Sequence, residues 1–181
     1  MDLAWPTGHT DDLAAAVHRV ARDATAAGGA IGWVAPPTRE ETDQWLAGVL
    51  AAVADRDGAL CTASVDGELI GFGTWRRDPE LVFRYRAELV KVTVHPSAQG
   101  RGLGRLITAG LIAGACSAGM EQVHMRVRGN NTRAIELYRS LGFTEYGRMP
   151  NSIAVGRDRF DAVWLYRELE RPHGIRLRGS A

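Results

Sequence analysis

Between Pro96 and Leu106 the chain reads "PSAQGRGLGRL", which sets Gly100, Gly102 and Gly104 at alternate positions with Arg101 and Arg105 among them. The first amides of a helix lack intrahelical partners and point outward with the positive end of the macrodipole, so a helix opening here would offer a seat for phosphate. Glycines let the oxygens approach the backbone, and the arginines add charge beside them. The plainer reading is a helix start with flexible glycines and surface arginines, and the turn alone does not decide between them. Two common nucleotide turns are excluded. The run has neither the later glycine of a dinucleotide site nor the Gly-Lys-Ser/Thr ending of a P-loop.

Other reactive side chains are sparse. His95 precedes Pro96 and reads as a turn residue, while His124 alternates with the apolar residues of its segment and receives no catalytic role. Cys61 and Cys116 have no second cysteine or histidine at metal-ligand spacing and are too few for a disulfide framework, so no metal site is expected and both thiols read as reduced. Cys116 reads as core rather than nucleophile.

A turn of this kind works only if a strand delivers the chain to it and a helix carries it away. The valine-rich "AELVKVTVHP" reads as a strand ending at Pro96. Leu103, Leu106, Ile107, Leu111 and Ile112 then make one helical face, closed by Gly119, and "EQVHMRVR" resumes as a strand with Val123, Met125 and Val127 on one side. "NNTRAIELYRSL" reads as a further helix capped by Gly142, and "RFDAVWLYREL" as a last apolar strand. Upstream, Asp11 to Ala27 repeats apolar residues on one face. Thr38 with Glu41 forms a capping box for a second helix to about Asp55, striped by Trp45, Val49 and Val53 with Leu46 and Leu50 beside them. "ALCTASVDGELIGFGTWRR" folds as a hairpin about Asp66-Gly67. The order predicts an α+β domain around one mixed sheet.

At 181 residues, 45% hydrophobic and 24% charged, the chain suits a single domain, taken as 1–170, followed by a loose tail at 171–181. A net charge of +1 gives no electrostatic reason to expect nucleic acid or an anionic membrane. Lys91 is the sole lysine. Neither a secretory start nor a spanning apolar run is present, so a cytoplasmic location is expected.

Here the sequence resembles a known family. "QGRGLG" fits the Q/R-x-x-G-x-G/A motif of the Gcn5-related N-acetyltransferases, with Gln99, Gly102 and Gly104 in the defined positions; "VKVTVHPSAQGRGLG", "NNTRAIELYRSLGF" and, more weakly, "DAVWLYREL" extend the match over about half the chain. The resemblance implies a mixed, mostly antiparallel sheet flanked by helices, in which two neighbouring parallel strands, Glu88 to Val94 and Glu121 to Arg128, splay apart to admit acetyl-CoA. Backbone of Val92, Thr93 and Val94 would pair with the pantetheine arm, as in β-augmentation. Amides from Gly100, Arg101, Gly102, Leu103, Gly104 and Arg105 would hold the pyrophosphate. Asn131 would lie by the cofactor arm, or cap its helix. Tyr138, two turns along the same face, would protonate the departing thiolate, or pack as core.

The implied reaction is direct attack of a primary amine, from a small molecule or peptide, on the thioester in a ternary complex. An alkylammonium with pKa about 10.4 must lose a proton first. Glu88, at a position where relatives often carry an acid, is the candidate base, placed by alternation on one face with Val90 and Val92; a solvated glutamate paired with Lys91 or an arginine is the alternative. Arg126 and Arg128 occupy the next strand where some relatives have an acid, which leaves a water relay open. For the acceptor walls the expectation is Trp33, Trp45, Trp75, Phe83 and Tyr85 with Glu40, Glu41, Asp43, Asp78 and Glu80 drawing a cationic amine, on two N-terminal helices and the loops "RRDPELVFRYR" and "MPNSIAVGRDR". A homodimer stays open. The competing readings are a catalytically inactive acyl-CoA-binding sensor of the same fold and a binding domain that takes no coenzyme A.

Overall fold

The computed structural model describes residues 1–169. The expected loose tail, 171–181, lies outside the described residues. Seven strands form one sheet in the order β1-β2-β3-β4-β5-β7-β6: β1 (Asp2–Ala4), β2 (Gly58–Val65), β3 (Glu68–Arg77), β4 (Arg86–Val94), β5 (Gln122–Arg128), β6 (Thr144–Val155) and β7 (Asp158–Glu168). Neighbours are antiparallel except β4 and β5, which run parallel. The mixed sheet with its parallel central pair is the architecture expected from the sequence.

Helices cover both faces. On one side lie α1 (Asp11–Ala26) and α2 (Arg39–Ala54). Thr10 caps the first by accepting from the Leu13 amide (3.1 Å), and the Thr38/Glu41 capping box opens the second. They bury Ala14, Val17, Ala21 and Leu46 against Leu60 and Phe72 of the sheet. On α2 the buried line is Thr42, Leu46 and Leu50, not the expected Trp45 stripe. Trp45 and Val49 flank that line and open onto a shallow depression beside Val90. On the other side lie α3 (Leu103–Ser117) and α4 (Thr132–Ser140). Ile107, Leu111, Ile135 and Tyr138 pack there with Leu89, Val123, Met125 and Leu165.

Two strands escape the sequence reading. β1 is a short edge, and β6 takes in much of what reads as the loop "MPNSIAVGRDR". β6 is mostly exposed, with register shifts between Glu145 and Gly147 and between Met149 and Ile153, so its apolar alternation is broken. What identifies it is pairing along β7, a tertiary effect invisible to propensity.

β4 carries a second irregularity. Its register with β3 shifts between Phe72 and Thr74, and Lys91 takes a left-handed φ of 53°. That bulge breaks the alternation. Val90 stays on the α2 face with Thr74 and Trp45, whereas Val92 turns to the α3 face, against Ile107 and Leu111 where Gly73 leaves room. Glu88 therefore shares a face with Val90 but not with Val92, contrary to strict alternation. Gly71 is needed nearby for close packing, since a Cβ there would lie 2.9 Å from the Thr93 carbonyl. Gly71→Val should destabilise the fold by about 1–3 kcal/mol, read as a lower urea midpoint at constant m-value; an unmoved midpoint would show that β4 yields freely there.

Candidate active site

The parallel pair makes only three register contacts, Arg86 with Gln122, Ala87 with Val123 and Glu88 with His124. Both strands continue, to Val94 and Arg128, without pairing to each other. Past Glu88 the gap-facing edge of β4 thus has no strand opposite, and backbone amides and carbonyls in such a place require partners. The bulge sets which residues offer them. The Thr93 carbonyl lies on the β3 side, and the His95 amide donates to the Ile70 carbonyl (2.7 Å), so alternation turns the backbone of Val92 and Val94 into the gap. Thr93 faces β3 instead, and its hydroxyl donates to the Lys91 carbonyl (2.9 Å), which braces the bulge. Of the three expected backbone contacts, two have the required direction.

The turn after β4 has the shape its glycines imply. A short 3-10 turn, Pro96–Ala98, is stabilised by His95, whose Nδ1 accepts from the Ser97 amide (3.3 Å) while Nε2 meets Asp23 (3.1 Å). Gly100 and Gly102 have φ of 84° and 81°, and Gly102 is the N-cap of α3. A Cβ on Gly102 would meet nothing within 4 Å, so the ground before the free amides of Leu103, Gly104 and Arg105 is open. Leu103 is itself buried, leaving its amide as its contribution. Gly104 serves packing, for a Cβ there would press on Leu137 of α4 at 3.3 Å. Arg101 is exposed, Arg105 donates to Ser140, and Gln99 reaches back to the Val94 carbonyl (3.5 Å). Arg133, which the sequence reading passed over, brings a guanidinium nitrogen 3.4 Å from the Cβ position of Gly100.

Between the diverging strands lies a cleft of about 790 Å³, walled by β4, β5, the α1–α2 loop, α4 and the β6–β7 edge. Asn131 caps α4 by accepting from the Ala134 amide (3.3 Å), the capping alternative of the two, and it also lines the cleft. Tyr138 lines it too, buried against Phe143. Burial pushes its phenol from the ordinary 10 up to about 12, and its hydroxyl makes no hydrogen bond among the described residues.

At the fork, Glu88 accepts from Arg76 Nε (3.0 Å), the arginine pairing that the sequence reading left open. Beside it on β5 stands His124, whose Nε2 is buried without a hydrogen-bond partner among the described residues. Desolvation, ahead of the neighbouring charges, lowers its pKa, so this imidazole is neutral near pH 7.

The acceptor side departs from expectation. Glu41 belongs to the capping box, Asp43 pairs with Arg39 and Asp78 with Arg86. None of these, nor Glu40 or Glu80, lines the cleft, where Glu88 is the one acid among the described residues. Of the expected aromatics Trp33 lines it, while Trp45 and Trp75 edge the separate depression and Phe83 stacks under Arg86. Two cations hold the α1–α2 loop instead. From β4, Lys91 donates to the Ile31 carbonyl (2.8 Å) with its ammonium 3.4 Å from the Trp33 ring centre. From β5, Arg128 donates to the Gly28 carbonyl (3.0 Å). Desolvation lowers the Lys91 pKa to about 8. The sequence signal for Lys91 was a lone charge inside an apolar strand run.

The family profile described as acetyltransferase (GNAT) family matches residues 17–143. The chain belongs to this family. A mycothiol acetyltransferase of Gordonia bronchialis is 40% identical over 94 residues, which is 51% of this chain and 28% of that protein. An L-methionine sulfoximine/L-methionine sulfone acetyltransferase of Salmonella typhimurium is 40% identical over 79 residues, 44% of each chain. The aligned part of this chain thus spans less than half the length of these curated relatives. Among solved GNAT structures, an acetyltransferase from Salmonella typhimurium with its cofactor acetyl-CoA superposes with TM-score 0.80 at 25% identity, covering 96% of each chain. A phosphinothricin acetyltransferase from Sinorhizobium meliloti in complex with acetyl-CoA gives 0.80 over 99% of this chain and 95% of that one, and at 19% identity it bears on the fold alone. No helix among the described residues is long and apolar enough to cross a membrane.

Tyr138 permits a direct check. Phenolate absorbance in the wild type minus Tyr138→Phe should show no ionisation at pH 10 and a rise only towards about 12. Because the unfolded chain alone loses this proton between those values, stability should fall as pH climbs through that window. A difference titration centred at 10 would mean that the ring is solvated.

Proposed function

We propose that the chain transfers an acetyl group from acetyl-CoA to a primary amine of a small molecule, by direct attack in a ternary complex. The observation that carries this reading is the gap beyond Glu88, where unpaired β4 backbone leads straight to an open, glycine-lined helix start. One extended ligand with a diphosphate at one end and amide groups along its arm answers both features. Membership of the family and the names of the curated relatives support the donor and the small-molecule acceptor.

The donor brings an activated thioester carbonyl. Amides of Leu103, Gly104 and Arg105 are suited to its phosphates, with Gly100 and Gly102 keeping side chains clear and Gln99 closing the turn. Val92 and Val94 extend β-type pairing along the arm, and Asn131 borders it. Tyr138, protonated at neutral pH as any phenol is and free of hydrogen bonds among the described residues, is the acid for the departing sulfur. Proton removal from the incoming ammonium falls to Glu88 at the fork, oriented by Arg76.

The deciding assay is thiol release from acetyl-CoA across a panel of primary amines. Saturable, amine-dependent release supports the reading, whereas tight binding of acetyl-CoA with no release for any amine would favour the sensor. Gly102→Glu should weaken acetyl-CoA binding by about a hundredfold or more, through a carboxylate placed where phosphate would sit; unchanged affinity in calorimetry would remove the phosphate seat from α3. Tyr138→Phe should lower kcat by about tenfold to a hundredfold with little change in acetyl-CoA affinity. Equal turnover would return Tyr138 to the core.

A further inference from the structure

The cleft holds charged groups that transfer from acetyl-CoA does not use, Lys91 among them. Lys91 occupies the only lysine position in the chain and takes φ of 53°, a conformation better suited to glycine or asparagine. Keeping a long side chain there costs backbone strain, which the packed surroundings sustain. Its surroundings are shaped for an ammonium. A Cβ on Gly32 would come within 3.1 Å of Nζ, the Trp33 ring lies beneath it, and Ile31 supplies a carbonyl. No carboxylate pairs with it among the described residues. An ammonium has three donors, and the hydrogen bond to Ile31 uses one.

The charges around it point the same way. Arg76, Arg126 and Arg128 share the cleft with Lys91, against Glu88 alone, which Arg76 already holds. Arg128 spends its donors on Gly28 and Asn130, neither of them acidic. Arg126, exposed on β5, has no ion pair among the described residues. A polycation entering here would meet like charges. An amine that carries a carboxylate would place its negative end on the unclaimed donors of Lys91 and turn its amine towards the thioester.

We propose that Lys91, seated between Trp33 and the Ile31 carbonyl, is the receptor for a carboxylate on the acceptor, so that the amine acetylated belongs to an amino acid or close analogue and not to a polyamine. This rests on acetyl transfer as the activity. Attraction from a partly desolvated ammonium supplies affinity, and the Trp33 wall limits the side chains that fit beside it.

The test measures thiol release from acetyl-CoA for free L-amino acids, their primary amides and spermidine. Wild type should prefer acids over their amides by about tenfold or more in kcat/KM. Lys91→Met should remove that preference by raising KM for the acids about tenfold more than for the amides; Lys91→Arg should keep part of it. Amides or spermidine used as well as the acids by wild type would overturn the proposal, a result that needs no variant to fold. So would an equal loss for acids and amides in a folded Lys91→Met. If no amine releases thiol, the activity itself fails, and tryptophan fluorescence of the wild type compared with Trp33→Phe decides the Lys91 site: a saturable change on adding amino acids, absent with amides and lost in Trp33→Phe, supports it, and no change overturns it.

Discussion

Two parallel strands that part company after three residue pairs govern everything else in this molecule. A sheet does not leave backbone unpaired in its middle without consequence, because each buried amide or carbonyl that loses water and gains nothing costs about 1–3 kcal/mol. Here the separation sits at the sheet centre, with a bulged ladder to β3 on one side and an unbroken one to β7 on the other. The flanking pairs hold the strands apart; α3 and α4 close one face, and the α1–α2 loop crosses the other. The resulting opening is built into the topology.

The bulge at Lys91 gives this opening its polarity. By shifting the strand one residue, it sends Val92 into the α3-side core while leaving Val90 on the α2 side, and it directs the backbone of Val92 and Val94 towards the gap. The same shift throws the Lys91 side chain to the opposite face from Val92, under the loop that joins α1 to α2. One local irregularity therefore separates two features, open backbone along the gap-facing edge of β4 and a seated ammonium on its α1–α2 face. A regular strand would have mixed them.

Much of this was legible in the sequence for physical reasons. The glycine turn, the capping box at Thr38 and the apolar face of α3 are local, and local rules suffice for them. The divergence of β4 and β5 came through family resemblance, since no pattern within either strand reports whether its neighbour stays beside it. Three features lay beyond reach. β6 hides because an edge strand exposed along most of its length needs no apolar alternation. The face of Val92 was misjudged because a bulge depends on register with β3, and the acids expected around the acceptor proved to be engaged in caps and ion pairs elsewhere. Charge counts along a chain say nothing about which charges share a wall.

The two cations that anchor the α1–α2 loop come from different strands, Lys91 on β4 and Arg128 on β5, and both grip main-chain carbonyls. The loop is thus a tie-bar across the fork. Lifting it releases both prongs together, and spreading the prongs strains the bar, so the spacing at one mouth of the passage and the freedom of the other are mechanically one variable. Changes in the N-terminal helices, remote from any reacting atom, can for that reason reset how far the two prongs stand apart.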